Sequence, residues 1–133
     1  MEIANYVVLL LSGMLLTFAG AMRVYKPAGS FCLQTYLKNP DLKLQDDVDM
    51  LSEMRGAGAL TLLTGLIILA GLASPQLRPT SFAVGALVFL GFGLGRTVSL
   101  VLDGKPNRDL INGMISELVL GALNLGCLLI LLG

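Results

Sequence analysis

Four apolar runs fill most of this 133-residue chain, and they limit the folds open to it more than anything else in the sequence. They cover residues 3–22, 56–73, 81–102 and 110–133. Each approaches or exceeds the roughly 18–20 residues that a helix needs to cross a bilayer. None shows the two-residue alternation of a half-buried strand. Backbone groups in lipid must hydrogen-bond within the protein, so each run reads as a helix. The second helix starts before its apolar run, within DDVDMLSEMR (46–55), where Asp and Ser suit a helix start. The expected fold class is all-α: an integral membrane four-helix bundle and a single domain over 1–133. Its spans lie near 3–22, 52–73, 81–102 and 110–132, with a cytoplasmic connection over 23–51.

Composition agrees. Hydrophobic residues make up 55% of the chain and charged residues 14%, too few to solvate a water-soluble globule. The mean hydropathy is +0.81. Net charge is zero and no basic tail is present, so nucleic acid is not an expected partner. The lipid bilayer is. The first run carries Glu2 and no Lys or Arg before it, the reverse of a signal peptide, and it is read as a retained span. The first and third connections hold Arg23, Lys26, Lys38, Lys43, Lys105 and Arg108, whereas the second holds only Arg78. The positive-inside rule puts the first and third connections in the cytoplasm and both termini outside.

Two charges lie inside the spans. Arg96 is seven residues before Asp103, about 10 Å along a helix, and Glu117 is eight after Asp109, about 12 Å. Helices 3 and 4 are joined by a short loop, DGKPN (103–107), so both side chains enter from the same side and reach matching depths. An unpaired ion in hydrocarbon is costly, and an Arg96–Glu117 pair satisfies both. Glu53 and Arg55 open helix 2 from that side. Arg96, Ser99 and Asp103 recur on one face of helix 3, and Gly113, Glu117, Gly121 and Asn124 on one face of helix 4. The candidate ligand-binding or buried ion cluster is therefore Glu53, Arg55, Arg96, Ser99, Asp103 and Glu117. Hydroxyls of Ser12, Thr17, Thr61 and Thr64 extend it, and Gly91 and Gly95 form a GxxxG step for close helix approach. A pocket is expected between helices 2, 3 and 4 at the cytoplasmic side, with a ligand tail running outward along the glycine-rich faces. The outer half offers mainly Asn5 and Asn124. Two readings stay open: the Arg96–Glu117 pair fixes helix register, or it holds a ligand.

Other chemistry is poorly supplied. Without histidine there is no His-based haem ligation, triad or acid–base catalysis. Cys32 and Cys127 fall at opposite membrane faces, too far apart for a disulfide. Cys127 reads as a small core hydrophobe. No metal, cofactor or catalytic residue is expected. The stretch SFCLQTYL (30–37) reads either as an interfacial segment or as an irregular loop, ended by NPD (39–41).

Taken in order, LSEMR (51–55), GRTVSLVLDGKP (95–106) and SEL (116–118) resemble a family of bacterial four-helix membrane proteins of unknown function, akin to the DoxX-like group. The resemblance covers residue 51 to the end, and helix 1 matches in hydropathy only. It implies the four-helix fold and a shared polar core, with no defined substrate. A second similarity is to the membrane glutathione-transferase and eicosanoid family, also four-helical with Glu and Arg on helix 2 and Arg on helix 3. This chain departs from it: Gly-Ala-Gly-Ala follows Arg55, and no tyrosine lies on helix 3 or 4. The function expected is non-enzymatic binding, through the charged cytoplasmic half, of an amphipathic or anionic small molecule or lipid, or of a partner subunit, including another copy of the chain. The alternatives are a glutathione-transferase-like enzyme, a proton-coupled transporter and a purely structural subunit of a membrane complex. The topology has a direct check: a cysteine placed beside Arg78 should be labelled by an impermeant reagent from outside, and one beside Lys105 should not.

Overall fold

The computed structural model describes residues 2–26, 48–106 and 108–133. It contains four long helices: α1 Glu2–Tyr25, α2 Val48–Ala73, α3 Arg78–Asp103 and α4 Arg108–Leu132. All four are long and apolar enough to cross a membrane. The all-α four-helix bundle expected from the sequence is what forms, and α2 does start ahead of its apolar run, at Val48. The interfacial stretch 30–37, the break at 39–41 and Cys32 lie outside the described residues.

Local chemistry sets the turns. After α2, Ser74 is extended (φ −130°, ψ 114°) and a single 3₁₀ turn, Pro75–Leu77, leads into α3. Pro79 falls in the first turn of α3, where a missing N–H costs nothing. At the far end of α3, Gly104 has φ 103°, a left-handed conformation that glycine adopts without a Cβ penalty. Gly104 belongs to the short loop read from residues 103–107, of which Asn107 lies outside the described residues.

The helices approach through glycines. Gly13 and Gly20 on α1 face Gly65 and Gly58 on α2, seven residues apart on each helix. A Cβ at Gly20 would meet the Leu62 backbone and lie 2.7 Å from the Gly58 carbonyl oxygen. A Cβ on Gly65 would lie 2.6 Å from the Thr17 nitrogen. On α3 and α4, Gly93 admits Leu118 and Gly121 admits Leu90. The GxxxG step at Gly91 and Gly95 does not serve this purpose, contrary to expectation. Both are exposed, with nothing within 4 Å of an added Cβ, because α3 meets α4 through Gly85, Gly93 and Gly121 instead.

Packing divides the bundle by depth. Leu9, Ile68, Phe82 and Phe89 are fully buried, with Val8 and Leu16 beside them. These positions lie largely toward the end of the bundle where α2 turns into α3. Cys127 packs against this core as a partly buried hydrophobe, as its sequence position suggests. Large apolar side chains such as Leu11, Leu63, Leu87 and Val119 point outward. Such a surface is an aggregation liability in water and suits lipid. Gly20→Ala should cost about 1–3 kcal/mol through overpacking, whereas Gly91→Ala should change stability by less than about 0.5 kcal/mol. Thermal unfolding of the two variants in detergent measures the contrast.

Candidate functional site

Arg96 and Glu117 meet across the α3–α4 interface. Arg96 Nε donates to Glu117 Oε2 at 2.8 Å, with the two side chains 24% and 15% exposed. The helix positions explain the contact. The two residues stand at matching depths on antiparallel neighbours, and Gly93 lets α4 come close one turn away. A charge-assisted bond of this length is among the stronger polar contacts. Arg96 also lies against the Phe92 ring, 5.8 Å from its centroid, and Arg23 of α1 approaches the same ring at 5.7 Å.

The pair forms the polar wall of a cavity of about 280 Å³. Leu15, Phe18 and Ala19 line it from α1, Phe92 and Arg96 from α3, and Leu110, Gly113 and Glu117 from α4. Arg23 and Asp109 add charge, from the last turn of α1 and the first turn of α4. The expected position between helices 2, 3 and 4 is corrected here: α1 supplies the wall opposite α4, and α2 contributes Thr61. Close glycine contact holds α2 against α1, while α1 and α4 touch only lightly and leave a seam.

A second space begins at the same arginine. An open groove of about 660 Å³ runs between α2 and α3, with Arg96 and Ser99 at one end and Ile67 and Val84 at the other. Gly91 and Gly95 lie along it. Arg96 and Phe92 thus border both spaces.

The other expected site residues are placed differently. Ser99 Oγ donates to Asp103 Oδ2 at 2.8 Å, an exposed contact within α3 that does not involve Arg96. Arg55 donates through its Nη1 to the carbonyl of Val24 at the end of α1, where the last carbonyls of a helix lack internal partners. Glu53 is exposed near the start of α2. Thr61 and Thr64 donate to carbonyls of their own helix, at 2.7 Å to Ala57 and 2.9 Å to Thr61. Ser12 accepts a bond of 2.9 Å from Asn124 Nδ2 at the centre of the bundle. The four residues that share a face of α4 do face inward: Gly121 and Asn124 are buried, and Gly113 and Glu117 line the cavity.

Arg78 is the residue that sequence reasoning undervalued. It counts in the sequence only as the lone base of the second connection, yet its side chain is 10% exposed. Its Nε donates to the Gly71 carbonyl at 3.3 Å and its Nη2 to Tyr6 Oη at 2.6 Å, with the guanidinium 4.7 Å from the Tyr6 ring centroid. Glu2, largely exposed, lies 3.5 Å away. The outer half, expected to offer mainly Asn5 and Asn124, thus also holds the guanidinium of Arg78. Arg78 sits at the first position of α3, where the short turn folds it back over the end of α2. The one available signal was a lone arginine between two prolines at a helix start; its partner Tyr6 lies 72 residues away and carried no mark.

The geometry defines an integral membrane four-helix protein with an ion pair lining a largely apolar cavity. The chain belongs to the family described as a domain of unknown function (DUF4345), which matches residues 5–128. No curated protein and no solved structure matches the chain. The pair itself can be weighed by a double-mutant cycle. Arg96→Met should destabilise the protein by about 3–5 kcal/mol by stranding Glu117. Adding Glu117→Gln should recover part of that loss, and thermal unfolding of the three variants reports the coupling.

Proposed function

We propose that this protein binds an amphipathic molecule drawn from the bilayer, with the molecule's polar head at Arg96 and Glu117. One observation carries the reading: an ion pair lines a largely apolar cavity within helices long and apolar enough to cross a membrane. Ligand sites combine apolar walls with a few convergent polar groups, and this cavity does the same. The head occupies the space between α1, α3 and α4, and the tail leaves through the light seam between α1 and α4. The α2–α3 groove, which starts at Arg96 and carries Gly91 and Gly95, gives the tail a second path. Glu117 balances Arg96 when the site is empty.

The orientation follows from basic residues. With Arg78 folded into the bundle, the second connection presents little free positive charge, which supports both termini outside and the cavity in the cytoplasmic half. We place the protein in a bacterial inner membrane, within the DoxX-like group, on the motifs at 51–55, 95–106 and 116–118. A second reading, a subunit docking on a partner helix or another copy, draws on the open Gly91–Gly95 face, since small residues allow close helix contact in lipid.

Native mass spectrometry of wild type and Arg96→Gln tests the binding reading. Wild type should retain a copurified amphiphile that the variant loses. Equal retention by a folded variant removes the role of Arg96.

A further inference from the structure

Resting on the amphiphile reading above, we infer that the cavity selects a zwitterionic head: an ammonium and an acidic group a few bonds apart, on an apolar tail. The charged groups lining the cavity balance. Arg23 and Arg96 supply two cations, and Asp109 and Glu117 two carboxylates. Arg23 and Asp109 stand in terminal turns of their helices, while Arg96 and Glu117 lie further along theirs.

The ion pair decides the class. A simple acid at Arg96 sets a second anion beside Glu117, and the two compete for one guanidinium. Like charges held together in a poorly solvated site are the unfavourable outcome. A simple ammonium at Glu117 crowds Arg96 in the same way. A zwitterion engages both: its acidic oxygens accept from Arg96 while its ammonium donates to Glu117. One contact of 2.8 Å within the protein is exchanged for two with the ligand, and no charge is left alone. Phe92, already beside Arg23 and Arg96, offers a ring face that an ammonium also favours.

The experiment uses the intact chain in nanodiscs holding equal amounts of phosphatidylethanolamine, phosphatidylglycerol and diacylglycerol, read by native mass spectrometry. Wild type should retain phosphatidylethanolamine over phosphatidylglycerol by about tenfold, the order of one charge-assisted hydrogen bond. Glu117→Gln removes the group that meets the ammonium and releases Arg96, so the preference should reverse toward phosphatidylglycerol. A purely structural Glu117 would not reverse it. Free phosphoethanolamine separates the sources: displacement of the lipid assigns the site to a soluble zwitterion, and lack of displacement assigns it to a lipid head. Both results support a zwitterion. Preference for phosphatidylglycerol by wild type, or equal retention of the two phospholipids, overturns the zwitterion and leaves the amphiphile reading standing. Retention of no lipid, or the same retention by wild type and Arg96→Gln, overturns both. If Glu117→Gln does not fold, the wild-type ratio decides alone.

Discussion

Close backbone approach between α1 and α2 is the contact on which the rest of the bundle depends. In lipid, apolar side chains gain little by leaving the solvent, because the solvent is itself apolar; helices associate through shape and polar bonds. Gly13 and Gly20 lie against Gly65 and Gly58 of α2, and an added Cβ at Gly20 or Gly65 would run into the facing backbone. With α2 held so tightly to α1, it stands back from α4. The remaining seam between α1 and α4 is filled by small and polar residues such as Ala19, Gly113 and Glu117, and there the cavity opens.

Polar bonds then fasten what shape alone would leave loose. Asn124 ties α4 to α1 through Ser12, and Ser81 ties α3 to α2 through the Ile67 carbonyl at 3.0 Å. Arg78 draws the start of α3 onto the end of α2 and onto Tyr6 of α1. Around these bonds Phe82, Phe89, Leu9 and Ile68 pack without exposure. The bundle is thus solid toward Arg78 and hollow toward Arg96.

The fold was readable because its rule is simple: apolar runs of spanning length in lipid must be helices. The pairing of Arg96 with Glu117 was readable too, since a short antiparallel connection converts equal distances along the chain into equal depth. Readings that depend on helix rotation divided: the face shared by Gly113, Glu117, Gly121 and Asn124 turns inward, and other expected faces do not. Ser99 borders the α2–α3 groove with Arg96, yet its hydroxyl bonds to Asp103 rather than turning to Arg96. Gly91 and Gly95 have the form of a packing motif, but the helix turns them outward, while Gly13 and Gly20 do that work without a four-residue pattern. Arg78 and Arg23 were read as loop charges because a count along the chain assigns them to connections; the turn before α3 brings Arg78 against Tyr6, and α1 runs on far enough to carry Arg23 to Phe92.

The placement of the ion pair also bears on how the chain enters the membrane. A guanidinium at the middle of an isolated span costs about 2.5–3.5 kcal/mol in insertion. Arg96 belongs to α3, and the carboxylate that neutralises it follows 21 residues later, on α4. Between them α3 ends at Asp103 and α4 resumes at Arg108, so the two helices fold back as one hairpin. Delivered to the bilayer together, they carry Arg96 out of water already matched by Glu117, and neither charge crosses alone. Inserted as one hairpin, the third and fourth spans avoid that cost.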